Sequence, residues 1–221
     1  MGHLYDLAMT RRRIGIFGGT FDPPHLGHLI VASEVRHRCG FDEVLLMVAN
    51  DPWQKRNDRT ITPAPLRLEM VTAAVAGRDG LRASALEIER GGATYTVDTV
   101  EQILRGDDTF DCTLILGADS LRSIATWHRS DELAALVDIV VVARPGTDAT
   151  AVIAAAVAAE VVAAGEQRGV GWTVNEVAVP GVQISSTELR SRCRNGTPTT
   201  FLITDEVRSI IDRAGLYGVG R

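Results

Sequence analysis

Apolar residues come along this chain in two rhythms. Short runs rich in Val, Ile and Leu fall at 13–17, 43–48, 113–116, 138–143 and 172–179, with the length and composition of buried strands. Between them lie stretches with helical spacing, at 25–39, 64–76, 96–104, 130–136, 151–164, 186–194 and 205–214. In the last stretch Val207, Ile210, Ile211 and Ala214 form an i, i+3, i+4, i+7 stripe, the mark of a helix buried on one side. The alternation predicts an α/β fold: a doubly wound, mostly parallel sheet with helices on both faces. Ligands of such a sheet bind outside the carboxyl ends of its strands. No internal repeat is apparent. Residues 147–171, rich in Ala, Val and Gly, read as a peripheral helix and loop without a chemical cluster.

Composition narrows this picture. A chain of 221 residues, 45% hydrophobic, can bury one substantial core. The expectation is a single domain over 12–221, preceded at 1–11 by a leader or tag remnant. A net charge of −5 and a pI near 5.5 give no basic face for nucleic acid. A small anionic ligand is still allowed, because it feels local charges rather than their sum. Cys39, Cys112 and Cys193 are scattered and read as reduced thiols rather than a disulfide frame or zinc site. Residues 4–9 are too short for an export signal and precede, rather than follow, Arg11, Arg12 and Arg13. The apolar tract 151–159 is well below the ~20 residues that span a bilayer. A soluble, cytoplasmic protein with no membrane partner is expected.

Candidate chemistry starts where the first strand ends. Gly18-Gly19-Thr20-Phe21-Asp22-Pro23-Pro24-His25-Leu26-Gly27-His28 is a glycine turn opening into a helix. Glycines let backbone approach a ligand closely, and a helix N-terminus offers N–H donors to an anion. His25 and His28, three residues apart, share a helical face and can point at one phosphate. The competing readings are a tight turn with inert histidines, and a zinc site using both histidines with Asp22. The second lacks a third strong ligand at zinc spacing.

A second helix mouth lies at Ile184-Ser185-Ser186-Thr187-Glu188-Leu189-Arg190. Ser185 and Glu188 have capping-box spacing, yet the same hydroxyls with Arg190 one turn in can hold a triphosphate. Lys55 is the only lysine and follows the second strand, on the ligand edge of the sheet. Thr94, Tyr95 and Trp127 can form a slot for a flat aromatic ring, though a tryptophan in an α/β domain is also ordinary core. Gly117 and Asp119 follow a strand; Asp119 suits a ribose hydroxyl or a helix N-cap.

Taken together, GGTFDPPHLGH, PWQK, GGATYT, LGADS, TWH, ARPG and ISSTELR resemble the nicotinate-nucleotide adenylyltransferase family of the HxGH nucleotidylyltransferase superfamily. The ordered matches run from Ile14 to Tyr217. The resemblance implies a Rossmann-like nucleotidylyltransferase fold, Mg²⁺, and frequently a homodimer or higher homo-oligomer. It implies that ATP and nicotinate mononucleotide give deamido-NAD and pyrophosphate by direct in-line attack, with no covalent intermediate. Carried across, His25, His28, Ser186 and Arg190 hold ATP phosphates; Gly18, Gly19, Thr20, Phe21, Ile184 and Ser185 line that site. Lys55 meets the mononucleotide phosphate, while Thr94, Tyr95 and Trp127 form the pyridine pocket. Gly117 and Asp119 form the ribose region, and Arg144 lies on the adenosine side. Trp53-Gln54 stands where many members have Pro-His, and Thr204 where many have proline. Rival readings are an enzyme preferring nicotinamide mononucleotide, a phosphopantetheine adenylyltransferase, and a non-catalytic nucleotide sensor.

Overall fold

Six strands form one sheet in the order β3-β2-β1-β4-β5-β6, every neighbouring pair parallel. They are β1 (Arg12–Gly19), β2 (Glu43–Val48), β3 (Leu81–Ser84), β4 (Phe110–Gly117), β5 (Asp138–Ala143) and β6 (Val174–Ala178). The computed structural model describes residues 11–52, 60–107, 109–143 and 174–218. The expectations for 1–10 and 151–164, and those for Trp53, Gln54, Lys55 and Arg144, fall outside the described residues.

Among the described residues the helices are α1 (Leu26–Cys39), α2 (Ala64–Val75), α3 (Leu86–Arg90), α4 (Thr96–Gly106), α5 (Ala118–Arg122), α6 (Ser130–Ala134), α7 (Ser186–Arg194) and α8 (Asp205–Arg213). Single 3₁₀ turns lie at Ile124–Thr126 and Leu216–Gly218. Strand side chains alternate between two cores. Val44, Leu46 and Val48 of β2 join Ile115 and Val140 against α1, α2, α7 and α8, through Val35, Met70, Leu189 and Ile211. Leu45 and Met47 join Ile14, Leu114 and Ile139 on the other face, against Val97, Leu121 and Leu133 of α4, α5 and α6. Both faces are therefore covered, as a parallel sheet requires. Among the described residues no helix is long and apolar enough to cross a membrane.

Expected boundaries hold to within a few residues, with two informative departures. β1 and β4 each extend beyond the apolar runs at 13–17 and 113–116, because parallel pairing continues through glycine and polar positions. β3, α3 and α5 are absent from the periodicity reading. Leu-Arg-Ala-Ser at β3 is a four-residue, half-exposed strand, and five-residue helices are too short to show a period.

The chain crosses from one half of the sheet to the other between β3 and β4, so β1 and β4 flank the topological switch point. Their ladder runs only to Ile16↔Leu114, yet β1 continues to Gly19 and β4 to Gly117. Beyond the last pair the strands part, and a crevice opens at their carboxyl ends.

Candidate active site

A cleft of about 300 Å³ occupies that crevice, lined by Phe17 to Thr20 of the first turn, Ala49 and Pro52 after β2, Thr94 to Thr96, Gly117 and Ser120, and Trp127 with His128. The glycine turn, Thr94 with Tyr95, Gly117 and Trp127 are thus brought together from four separate segments. A Cβ added at Gly18 would meet nothing within 4 Å, whereas one at Gly19 would lie 2.7 Å from the Phe21 ring. Gly18 therefore presents bare backbone to the cleft, and Gly19 makes room for Phe21.

Beside this turn α1 begins with His25 as its N-cap residue, one position earlier in role than the expected helical start. The imidazoles of His25 and His28 stack, with centroids 3.6 Å apart and planes 24° from parallel. The His25 backbone N–H donates to His28 Nδ1 at 3.2 Å, which leaves Nε2 as the proton-bearing nitrogen of a neutral His28. Phe21 packs edge-on against His28 at 5.0 Å. Gly27 between the histidines is required by space: a Cβ there would stand 3.0 Å from His25 Nδ1.

The second helix mouth meets the first. Ser186 Oγ donates to the Pro23 carbonyl at 2.8 Å, and Arg190 Nη1 donates to the Asp22 carbonyl at 2.8 Å. A Cβ at Gly27 would lie 4.0 Å from the Ile184 Cβ, and the Leu26 N–H donates to the Leu202 carbonyl at 2.9 Å. Ser185 caps α7 by accepting from the Glu188 N–H at 3.1 Å. The capping box is only half made, because Glu188 pairs with Arg192 instead. The local roles and the convergence of α1 and α7 coexist.

Trp127 takes the core position of one reading and also borders the cleft. The indole packs against the α4–α6 core while lining the cleft. Its Nε1 is shielded from solvent and has no hydrogen-bond partner among the described residues, an arrangement that a ligand acceptor would relieve. Tyr95 and His128 rings lie 4.3 Å apart. Arg129 fixes this wall to α4 through Asp98 at 3.2 Å. Thr94 Oγ1 accepts from the Asp51 N–H at 3.2 Å, tying the slot to the exit of β2.

Asp119 departs from expectation. Gly117, not Asp119, is the N-cap of α5. The Asp119 side chain is 93% exposed and salt-bridged to Arg122 at 2.6 Å, outside the cleft lining. In the first turn of a helix a carboxylate is stabilised by the helix dipole and by a partner one turn on.

Sequence reasoning missed the supports beneath the site. Arg67, 1% exposed, donates Nε–H to the Thr62 carbonyl at 2.7 Å, Nη1–H to Thr20 at 2.9 Å and Ala49 at 2.8 Å, and Nη2–H to Asn50 at 3.0 Å. One guanidinium thereby holds both lips of the cleft. The signal was available, since Arg67 shares the buried face of α2 with Met70, Val71 and Ala74. Glu87, also buried, lines the cleft floor and accepts from Thr99 Oγ1 at 2.7 Å. Burial raises its carboxyl above the ordinary range, partly offset by the Thr99 hydroxyl and the nearby Arg90. Nothing in the periodicity of Leu86–Arg90 marks it.

Residues 16–192 match the cytidylyltransferase-like family model. A protein from Saccharopolyspora erythraea, named probable nicotinate-nucleotide adenylyltransferase, is 38% identical over 94% of this chain and 90% of its own length. One of the same name from Corynebacterium kroppenstedtii is 40% identical over 93% of this chain and 90% of its own. Among solved structures, Plasmodium falciparum nicotinic acid mononucleotide adenylyltransferase complexed with NaAD superposes with a TM-score of 0.72 at 18% identity, over 93% of this chain and 97% of that one. The structural likeness establishes the fold, and the sequence relatives the family. The chain belongs to the nicotinate-nucleotide adenylyltransferase family.

Proposed function

We propose that the protein transfers the adenylyl group of ATP to nicotinate mononucleotide, giving deamido-NAD and pyrophosphate in NAD biosynthesis. The observation that carries this reading is the junction at Asp22 and Pro23, where two helix mouths meet beside a cleft at the switch point of the sheet. The helix mouths supply donors for a polyphosphate, and the cleft supplies a flat slot walled by Tyr95, Trp127 and His128.

His25, His28 and Arg190 are assigned to the ATP phosphates, with Gly18, Gly19, Thr20, Phe21, Ile184, Ser185 and Ser186 around them. Thr94, Tyr95 and Trp127 are assigned to the pyridine ring, and Gly117 and Asp119 to the ribose region. Lys55 and Arg144 keep their assignments to the mononucleotide phosphate and the adenosine side on the family resemblance. One observation supports the acid over the amide: α4 begins at the cleft, and the first-turn N–H groups of a helix, lacking intrahelical acceptors, favour a carboxylate.

The nucleophile is a phosphate oxygen that is already ionised at neutral pH, so no general base is required. It attacks the α-phosphorus of ATP in line, and the α–β bridging oxygen leaves with pyrophosphate. The barrier is the approach of two polyanions and the shift of charge onto the leaving group. Orientation and prearranged donors lower it. Among the described residues no three His, Cys, Asp or Glu side chains form a metal-binding group. A Mg²⁺ would be carried mainly by the phosphates of the nucleotide and by water, as is usual in nucleotide sites. Bound with the nucleotide, it would neutralise charge on the departing pyrophosphate. A cytoplasmic setting suits the free thiols of Cys39, Cys112 and Cys193.

The test is pyrophosphate release from ATP with nicotinate mononucleotide, nicotinamide mononucleotide and phosphopantetheine side by side. The first should be turned over with the highest kcat/KM. A higher kcat/KM with either of the others overturns the assignment.

A further inference from the structure

We propose that Tyr217 is a positioning residue for the adenylyl transfer, holding Asp22 and through it the turn on which His25, Ser186 and Arg190 converge. The inference rests on the assignment of His25, His28 and Arg190 to the nucleotide phosphates.

Tyr217 lies 195 residues from Asp22 in sequence, yet its hydroxyl donates to Asp22 Oδ1 at 2.7 Å. Asp22 is 1% exposed, and its second carboxylate oxygen accepts from the Thr62 N–H at 3.4 Å. Thr62 Oγ1 and the Tyr217 hydroxyl are 3.5 Å apart. The Asp22 backbone carbonyl is the acceptor for Arg190 Nη1, and the next carbonyl, that of Pro23, accepts from Ser186. Side chain and backbone of one buried aspartate thus join four segments: the first turn, the approach to α2, the mouth of α7, and the 3₁₀ turn at Leu216–Gly218.

The tyrosine is held in an unfavourable way for this contact. Its backbone is left-handed, with φ 59° and ψ 18°, a region costly for a bulky residue unless its surroundings require it. Burial, followed by the negative charge of Asp22, raises the phenol further above its ordinary range. Tyr217 is therefore a hydrogen-bond donor at every working pH, suited to a buried carboxylate acceptor. Asp22 precedes His25 by three residues and directly follows Phe21, which packs on His28. Loss of the phenolic donor frees the carboxylate to turn or take a proton, and either moves the carbonyls that Arg190 and Ser186 use. A displacement of about 1 Å in such an array costs on the order of a hundredfold in rate.

The decisive variant is Tyr217→Phe, which keeps the ring and its packing. Steady-state kcat and both KM values are measured with thermal midpoints, beside Asp22→Asn, the Asp22→Asn/Tyr217→Phe double variant, His28→Ala, and Ile211→Val as a destabilised control. Expected for Tyr217→Phe is a kcat lower by about tenfold or more, with KM for nicotinate mononucleotide within about twofold because Tyr217 is not part of the slot. In the Asp22→Asn background the same change should have little further effect, since both act through one contact. The proposal is overturned if kcat for Tyr217→Phe stays within about twofold of the parent, if Ile211→Val loses as much activity for the same drop in midpoint, or if the two losses are additive. A His28→Ala enzyme with normal kcat removes the phosphate-site assignment and this inference with it, which separates the two failures.

Discussion

Gly18→Ala isolates ligand approach from folding. Gly18 pairs with Met47 in the β1–β2 ladder and lines the cleft. An added methyl meets no protein atom within 4 Å, and the backbone is not left-handed there, so alanine fits without strain. The unfolded chain loses entropy, which stabilises the protein by roughly 0.4–1 kcal/mol. For a domain of this size that is a rise of about 1–4 °C in midpoint. In the ligand complex the methyl occupies space reserved for a bound group. Overpacking of one methyl costs about 1–3 kcal/mol, or roughly 5- to 150-fold in kcat/KM for ATP. The expected signature is a more stable, less active enzyme, read by pyrophosphate release and thermal melting. Gly19→Ala is the contrast: its methyl would fall 2.7 Å from Phe21, so stability and activity should drop together. A Gly18→Ala protein with unchanged kcat/KM would show that no substrate reaches this backbone, and the phosphate reading of the turn would fail.

His28→Ala should lower kcat by about a hundredfold or more, some 3 kcal/mol of transition-state stabilisation, while circular dichroism and gel filtration stay unchanged; near-normal turnover removes His28 from the mechanism. Amine-selective modification should inactivate the enzyme through Lys55, the only lysine, and nicotinate mononucleotide should protect; mass spectrometry placing the inactivating adduct on the terminal amine refutes the assignment. Glu87→Gln tests the cleft floor. The folded protein holds the Glu87 proton more tightly than the unfolded chain does, chiefly through burial, so its contribution is most favourable below the unfolded carboxyl pKa and declines as pH rises through the folded one. The midpoint of Glu87→Gln relative to the parent should therefore increase from about pH 4 to about pH 8; a flat difference contradicts a buried, raised carboxyl.

What the sequence showed and what it hid divide along a physical line. Local period and local turn chemistry are written in neighbouring residues, so the parallel sheet, the helix faces and the two helix mouths were legible. Thr204 illustrates the point: the residue standing in for proline caps α8 by accepting from the Val207 N–H, as its hydroxyl predicts. Contacts between distant segments carry no such mark. Arg67 satisfies carbonyls from three segments, but only its presence on an apolar helical face hinted at burial. Tyr217 and Asp22 gave no hint, because a tyrosine near the end of a helical stretch has many ordinary fates. The N-cap reading of Asp119 failed for a different reason. Spacing placed an acid after a strand, but the cap of α5 lies two residues earlier, at Gly117, which puts Asp119 in the first turn with its carboxylate in solvent.

The protein is acidic overall, with net charge −5, yet it must hold two polyanions. The geometry resolves this by separating charge from donors. Many of its arginines are committed to surface carboxylates, as with Arg38 and Glu34, Arg82 and Glu43, and Arg208 and Asp212. At the proposed site the donors are structurally tethered: helix termini, two stacked imidazoles, and an Arg190 already bonded to the Asp22 carbonyl. Fixed dipoles of this kind need little reorganisation when charge moves from the α-phosphate to pyrophosphate, and that is where electrostatic catalysis gains most. A site built from mobile lysines would attract ATP as well but would spend binding energy on ordering side chains at each turnover. The consequence is measurable. The salt dependence of kcat should be weak, because long-range attraction is screened by ions whereas short, oriented hydrogen bonds are not. A steep fall of kcat between about 0.05 and about 0.5 M salt would instead indicate that diffuse positive charge, not the two joined helix mouths, carries the reaction.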